Sequence, residues 1–371
     1  MTQRSSFELL MEKAVRKKIP LVCHFDLTYQ CNLNCIHCYV VTEDHPELST
    51  SEIKAILDQL AKAGTLYLTF SGGEIFTRED FFEIAEYART LHFALRLLTN
   101  GTLIDDQVSD RVAALYPDLV SISIYSTTPE IHDGITFVPG SLARTIRAAK
   151  MLKDRKVKLG ISCVLMSQNI NGYSKVYELA QSIGASFQGD TRVTPRNNGD
   201  PFPLRFQINE NDLFHVWTDP IFSSQTRNEP EGPHSHEDWG DILCGASHIS
   251  SYVSPYGDIY PCVQFPTLCG NLKNEFFEKI WYDSPQMLEV RATLRSRLPI
   301  CSKCNLMEYC RICPGLAYIE EEDYRVSSKA VCQEARIIRD IKDGGDEKCK
   351  RKRKTKKNQK GKKGDPIRSQ N

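Results

Sequence analysis

The sequence predicts an α/β fold, with a partial barrel of six βα units, a small cysteine-rich C-terminal domain and a disordered basic tail. From residue 20, short apolar runs alternate with amphipathic segments, a pattern typical of βαβ units around a parallel sheet. Six units, rather than the eight of a closed barrel, precede residue 195, which favours an open sheet. Cysteines concentrate after residue 244 in a turn-rich segment, and such segments are usually held together by metal.

The elements follow in order along the chain. The predicted strands are LVCHFDLT, TLYLTF, FALRLLT, LVSISIY, VKLGISCVL and ASFQGDTRV. The first helix begins at Ser49/Thr50 and carries one apolar face, made of Ile53, Ile56, Leu57 and Leu60. The next is REDFFEIAEYARTL, and further helices are predicted over 105–116, 141–153 and 172–183, with a short helical piece near 210–217. The expected domains are a lead-in (1–19), the barrel (20–220), a bridging loop (221–240), the cysteine-rich domain (241–340) and the tail (341–371).

Composition and charge narrow the function classes. The chain has no run of eighteen apolar residues and no apolar export signal, so we expect a cytoplasmic protein without a membrane span. Its zero net charge conceals a surplus of nine positive charges in residues 344–371. A solvated tail is the favoured interpretation of that surplus. An arm for nucleic acid, a membrane surface or an acidic peptide is the alternative.

The fourteen cysteines require an explanation other than disulfides, since a reducing compartment favours metal ligands or catalytic thiols. Three of them lie in CNLNCIHCY, directly after the first strand, at the mouth of the sheet where α/β folds place their chemistry. Three thiolates would serve three irons of a cubane cluster and leave the fourth iron open for a small chelating molecule. These candidate ligands are Cys31, Cys35 and Cys38.

Other residues should converge on the same mouth. The second strand ends in TFSGGEIF, where Ser71, Gly72 and Gly73 let the backbone approach a ligand closely and Glu74 adds a carboxylate suited to an ammonium group. The third strand ends in LLTNG, which brings Asn100 to this rim, and the fourth ends in SISIYS. Alone, GGE is more often an ordinary turn, but its position one βα unit after the cysteine loop favours a binding role.

With these motifs the sequence resembles the radical S-adenosylmethionine (SAM) superfamily, whose hallmark is a C-x3-C-x2-C loop after the first strand. The resemblance implies a [4Fe–4S] cluster whose open iron binds the methionine part of SAM. It also implies reductive cleavage of SAM to a 5′-deoxyadenosyl radical that abstracts hydrogen from a substrate. Gly72, Gly73 and Glu74 would contact the methionine ammonium and His37 the adenine. By strand position, Ser123 would contact the ribose, or be an ordinary strand-end serine, and Val164 would contact the adenine.

The later cysteines resemble the SPASM extension of that superfamily, which carries auxiliary iron–sulfur clusters. The resemblance implies two sets of ligands. The outer set is Cys301, Cys304, Cys310 and Cys332, and the inner set, nearer the active site, is Cys244, Cys262 and Cys313. The last spacing of the C-x2-C-x5-C-x2-C run is one residue shorter than the usual form. Ser250 stands where the family often has a further cysteine, so the inner cluster has an open iron or another ligand. Cys269 is the nearest spare thiol, and a buried, unligated Cys269 is the alternative.

The resemblance leaves several activities open. Val263 follows Cys262 where sulfatase maturases carry an aspartate base, and a valine cannot take a proton. We therefore expect oxidative modification of a ribosomally made peptide, as a carbon–carbon or thioether-type crosslink. The alternatives are a haem-pathway decarboxylase, a sulfatase maturase and, without enzymatic activity, an iron–sulfur electron carrier.

The resemblance also implies partners. These are a peptide or small-protein substrate and a reductant such as flavodoxin or ferredoxin. Since only about twenty residues precede the first strand, we expect a leader peptide to bind through a separate protein or to dock directly. We expect no membrane partner and no nucleic acid.

Overall fold

The computed structural model describes residues 6–222 and 240–342. Its helices are α1 (Ser6–Lys17), α2 (Thr50–Ala63), α3 (Phe81–Thr90), α4 (Asp106–Ala114), α5 (Pro129–Thr136), α6 (Ser141–Asp154), α7 (Tyr173–Ser182), α8 (Glu210–Thr218), α9 (Phe277–Asp283), α10 (Pro285–Ala292), α11 (Pro314–Glu321) and α12 (Lys329–Lys342). Its strands are β1 (Val22–Thr28), β2 (Tyr67–Gly72), β3 (Ala94–Thr99), β4 (Leu119–Ser123), β5 (Leu159–Val164), β6 (Ser186–Asp190), β7 (Ser250–Val253), β8 (Asp258–Tyr260) and β9 (Gly270–Asn271).

The strands form one sheet in the order β6-β5-β4-β3-β2-β1-β7-β8-β9. Strands β1 to β6 are parallel and each pairs with the next along the chain. Within the described ranges β6 and β9 are the edges of this sheet, which therefore stays open. The α/β partial barrel predicted from the alternation of strands and helices is confirmed.

The main core lies between the strands and the helices that cover them. Phe25 and Leu27 on β1 pack there with the apolar face of α2, whose Ile53, Ile56, Leu57 and Leu60 are all buried as predicted. A capping box begins α2, in which the Ser49 side chain and Glu52 each bond the other's backbone N–H. Gly64, in the left-handed conformation, ends it.

The cysteine-rich segment extends the barrel sheet. Strand β7 pairs parallel with β1, and β8 and β9 continue the sheet with antiparallel pairing. The buried residues Phe277, Ile280 and Trp281 of α9 belong to the same core cluster as β1 and α2. The segment thus shares the core of the barrel, and it also has a smaller apolar cluster of its own around Phe265 and Val290.

Several elements differ from the sequence-based expectation. Helices α1 and α5 were not predicted, and the strand expected over 185–193 ends at Asp190. The tail was expected from residue 341, but α12 extends to Lys342. The apolar face of this helix packs on the main core, where Ile337 is buried. The rest of the expected tail (343–371) and most of the expected bridging loop (223–239) lie outside the described residues, and the domain boundaries stay predictions. None of the helices in the described ranges combines the length and apolar character needed to cross a bilayer.

Candidate active site

The first cysteine loop lies at the carboxyl end of β1 and is fixed from two sides. Helix α5 accepts two backbone bonds from it, from Asn34 N to Thr136 O (3.1 Å) and from Ile36 N to Ile135 O (3.0 Å). On the other side, the Glu47 carboxylate accepts from Tyr29 N at 2.7 Å. The unpredicted helix α5 is therefore what holds the middle of the loop. The sequence feature that marks the start of α5 is Pro129, which begins the helix after Thr128.

The three loop thiols lie near one another at this mouth. Burial raises the pKa of Cys35, and the neighbouring thiols of Cys38 and Cys31 raise it further. Burial also raises the pKa of Cys31 and of Cys38, but peptide N–H groups of Leu33 and Val40 oppose this by bonding to the two sulfur atoms. Cationic iron would remove the mutual repulsion of three thiolates held this close together.

The glycines of the GGE motif are required by the approach of β2 to the start of the cysteine loop. A Cβ on Gly72 would lie 2.0 Å from Thr28 O, and one on Gly73 would lie 2.2 Å from Gln30 O. These carbonyls also accept backbone bonds, from Gly73 N at 2.7 Å and from Glu74 N at 2.9 Å. The glycines thus attach the cysteine loop to β2, a role independent of any ligand.

Glu74 is buried and bonded within the chain. Its carboxylate accepts bonds from Thr99 Oγ1 (2.7 and 2.9 Å), Asn100 N (2.7 Å) and Phe76 N (3.2 Å). Burial raises its pKa to about 7, while these three donors act in the opposite direction. The side chain therefore connects the ends of β2 and β3. Its expected contact with an ammonium group stays a prediction.

Asn100 reaches the cysteine loop, as its place at the end of β3 predicts. Its Nδ2 donates to Asn32 Oδ1 (2.9 Å) and contacts Cys31 Sγ (3.8 Å). Its Oδ1 accepts from the backbone and side chain of Thr102. Asn100 is thus placed to orient Cys31. Ser71, also a predicted site residue, is buried and lies opposite Asp26 in the β1–β2 pairing.

The residues expected to contact adenosine lie around Tyr125, which follows β4. The Tyr125 ring packs edge-on against His37, with ring centroids 4.8 Å apart, and it shares an apolar cluster with Val164 and Cys35. Burial raises the Tyr125 pKa, and a hydrogen bond with Ser123 opposes this. Burial lowers the pKa of His37 to about 4, which favours the neutral ring, and its Nδ1 has no hydrogen-bond partner among the described residues. The structure thus brings His37, Ser123 and Val164 to one wall of the mouth.

Sequence reasoning missed Tyr125 and Asn169, which shape this wall. Asn169 is buried after β5, and its Nδ2 donates to Tyr125 O and Val164 O, both at 2.9 Å. Its Oδ1 accepts from Met166 N at 2.7 Å. It therefore ties the ends of β4 and β5 together. No sequence motif marks it, since its partners are backbone groups and one of them, Tyr125 O, lies 44 residues away along the chain.

The later thiols fall into two groups. In the first, Cys332, Cys301 and Cys304 each raise the pKa of Cys310, after the larger effect of burial. In the second, burial and then Cys262 and Cys313 raise the pKa of Cys244. These are the two sets that the resemblance implies, and their ligand roles stay predictions.

Cys269 does not join the second group. It is buried among core residues, and its thiol donates to Thr267 O (3.3 Å). Burial raises its pKa, and a hydrogen bond with Ser284 opposes that shift. This environment favours an unligated core thiol. Ser250 lies at the start of β7, in register with Val22 of β1.

The donor sets fit iron–sulfur clusters. All cysteines of the described ranges are free of disulfides. Peptide N–H groups bond to sulfur at Cys31 (from Leu33, 3.4 Å) and at Cys262 (from Gln264, 3.3 Å), and such bonds stabilise thiolates that hold a cluster. No three His, Cys, Asp or Glu side chains in residues 6–222 and 240–342 converge as ligands of a single metal ion. A cubane does not need that convergence, because each thiolate binds a different iron.

A cavity of about 430 Å³ lies between the first cysteine loop and the cysteine-rich segment. Tyr39, next to Cys38, lines it on one side, and Cys262 and Val263 line it on the other. Its described lining is rich in aromatic side chains, Tyr29, Tyr39, Tyr252, Tyr260, Phe265 and Tyr318. The charged side chains of that lining are Glu43, Arg196 and Glu322.

Comparison with known proteins places this site in a family. Residues 26–180 match the sequence profile of the radical SAM superfamily, and residues 244–314 match that of the iron–sulfur cluster-binding SPASM domain. The AdoMet-dependent heme synthase of Methanosarcina barkeri is 28% identical over 82% of this chain and 96% of its own length. The mycofactocin maturase MftC of Mycobacterium tuberculosis is 30% identical over 79% of this chain and 77% of its own length.

Among solved structures, Streptococcus suis SuiB bound to its precursor peptide SuiA superposes with a TM-score of 0.68 at 18% identity, over 88% of this chain and 79% of SuiB. At that identity the likeness concerns the fold. The sequence matches show that this chain belongs to the radical SAM superfamily, as an enzyme with a SPASM domain that uses SAM and [4Fe–4S] clusters.

Proposed function

We propose that this enzyme oxidatively modifies a ribosomally made peptide, forming a carbon–carbon or thioether-type crosslink. The observation that carries the proposal is the cavity, whose wall includes both Tyr39 of the first cysteine loop and Cys262 of the inner auxiliary set. A substrate in this cavity would adjoin the source of the radical and, on its other side, an electron acceptor. Removal of two hydrogens from a peptide requires both.

In this proposal each set of predicted site residues has its own role. Cys31, Cys35 and Cys38 would hold the catalytic cluster, which with SAM supplies the radical that abstracts a hydrogen atom. Gly72, Gly73, Glu74 and Asn100 would hold and orient the methionine side of SAM, and His37, Ser123 and Val164 the adenosine side. Cys244, Cys262 and Cys313 would hold the inner auxiliary cluster, and Cys301, Cys304, Cys310 and Cys332 the outer one. A separate reductant protein supplies electrons to the catalytic cluster.

The charge of the cavity supports a peptide over a tetrapyrrole. Haem precursors carry several carboxylates, and their binding would require several cationic groups. The described lining offers one guanidinium, that of Arg196, against the carboxylates of Glu43 and Glu322. Aromatic walls with few charges suit a peptide segment better. The sequence similarity to a mycofactocin maturase agrees with this choice.

Haem synthesis is the second candidate, and the similarity to a heme synthase over 96% of that enzyme's length favours it. One experiment separates the two candidates. The anaerobically purified enzyme receives SAM, a reductant and, in separate reactions, peptides encoded beside its gene and a haem precursor. We expect a peptide that has lost two hydrogens and an unchanged tetrapyrrole in mass spectra. Loss of carboxyl groups from the tetrapyrrole, with unchanged peptides, would establish the alternative.

A further inference from the structure

A buried chain of hydrogen bonds leads from the cavity into the barrel. The Tyr252 hydroxyl, at the cavity wall, donates to Asp26 Oδ2 at 2.8 Å. The other carboxylate oxygen, Oδ1, lies 3.0 Å from His24 Nε2. Asp26 is fully buried, whereas 22% of the His24 side chain is exposed. The three residues therefore connect the cavity wall with a side chain that is partly exposed to solvent.

The hydrogen bonds of this chain are ordered so that protons pass from the cavity toward Asp26. Tyr29 and Tyr252 share a hydrogen bond of 2.7 Å, and since the Tyr252 proton is given to Asp26, Tyr29 must be the donor between them. Burial raises the pKa of Tyr252, so its hydroxyl stays neutral and can pass protons without holding charge. Tyr29 orients Tyr252 from the side of the cavity.

The proposed reaction needs such a route. In the described lining, Val263 beside Cys262 cannot take a proton, and the carboxylates of Glu43 and Glu322 are exposed to solvent. Burying the carboxylate of Asp26 is costly unless it is paired. Within the described residues, His24 is the one basic side chain within ion-pair distance of it.

We propose that Tyr252, Asp26 and His24 form a proton-exit relay that removes the proton released when the substrate radical is oxidised. The inference rests on the proposed function. For a crosslink that removes two hydrogens, one leaves as a hydrogen atom to the 5′-deoxyadenosyl radical. The other leaves as a proton to Tyr252, whose own proton passes to Asp26, and the electron goes to an oxidised auxiliary iron–sulfur cluster. Two bonds to hydrogen break and the crosslink forms. Asp26 then passes the proton to His24, which releases a proton to water.

The isosteric variant Asp26→Asn separates this role from a structural one. Its amide oxygen can still accept from Tyr252 and its amide nitrogen can still contact His24, but it cannot take up a proton. We expect crosslinked peptide to form roughly a hundredfold more slowly, as for loss of a general base, while 5′-deoxyadenosine formation and iron content persist. Tyr252→Phe should slow crosslinking to a similar extent and likewise leave 5′-deoxyadenosine formation and iron content. His24→Gln should spare the first turnover and slow later ones.

The matched control is Tyr256→Phe. It removes another buried hydroxyl, which accepts from Glu43 N at 2.7 Å and lies outside the relay. This variant should form crosslink at the parental rate. A parental rate in Asp26→Asn, or equal losses in Asp26→Asn and Tyr256→Phe, would overturn the relay. Loss of crosslinking in Glu322→Gln with Asp26→Asn unaffected would place the base at the cavity rim instead.

A second readout needs no substrate. The infrared carboxylate band that Asp26→Asn removes should shift in Tyr252→Phe and His24→Gln but not in Tyr256→Phe. A band unchanged in the first two would overturn the relay even if peptide crosslinking is established. Conversely, an enzyme that cleaves SAM but modifies no peptide would refute the proposed function, and the infrared shifts would then test the hydrogen-bonded chain of Tyr252, Asp26 and His24 by itself.

Discussion

Gly73 illustrates how far a motif can be interpreted from sequence. The letters SGGE predicted a close backbone approach, and the structure shows that the approach is to the chain itself, since a Cβ would lie 2.2 Å from Gln30 O. Sequence could not identify that partner, because Gln30 lies in the loop after β1, whereas Gly73 follows β2. The position of Asn100 at the rim was predictable, as it follows directly from the end of a strand.

Gly73→Ala should therefore displace the first cysteine loop. We expect a loss of about 3 kcal/mol in unfolding free energy from the overpacked contact, with a matching loss of iron after anaerobic reconstitution. Urea unfolding and iron analysis measure the two effects. Gly134→Ala is the control, because its Cβ would meet nothing within 4 Å. Equal stability of the two variants would contradict the account of the motif.

Asn169→Ala tests the wall that we propose to hold adenosine. The change leaves the backbone groups of Tyr125, Val164 and Met166 without their partner, which should cost about 3 kcal/mol in total. SAM affinity should fall as well, measured by equilibrium binding. Asn274→Ala, at an exposed position, should change neither quantity. Unaltered SAM affinity in Asn169→Ala would show that the wall does not depend on this side chain.

At the scale of elements, the six βα units were predictable because their apolar periods are long and regular. Helix α5 was missed, although it holds the cysteine loop by two backbone bonds. The pairing of β7 with β1 could not be predicted, because it joins segments more than two hundred residues apart. The division of the later cysteines came from family resemblance, and the grouping of their thiols in space agrees with it.

The ion pair of Arg192 and Glu334 connects the barrel to α12. Arg192 Nε donates to Glu334 Oε2 at 3.2 Å, and the Glu334 side chain is only 10% exposed. Glu334→Ala should destabilise the protein by about 3 kcal/mol, because it leaves a guanidinium without its partner in a partly buried site. Glu275→Ala removes the exposed pair with Lys279 and should cost less than about 1 kcal/mol. Similar costs in urea unfolding would show that the attachment of α12 does not depend on this pair.

At the scale of the whole molecule, the tail differs from the rest of the chain in its strongly positive charge. Deleting residues 344–371 removes a surplus of nine positive charges and leaves all of α12. We expect iron content and SAM cleavage to be unchanged in the truncated protein. An insoluble or iron-free product would contradict this. Loss of peptide modification with SAM cleavage spared would assign the tail to substrate binding.

The central claim is that one cavity serves both the radical source and the electron acceptor, so that product formation needs Cys262 while SAM cleavage does not. The most direct measurement is the ratio of 5′-deoxyadenosine to crosslinked peptide in Cys262→Ser, after its solubility and its first cluster have been verified by iron analysis and electron paramagnetic resonance. We predict continued 5′-deoxyadenosine formation with crosslinked peptide reduced below detection. Crosslinked peptide at the parental rate and ratio would contradict the claim.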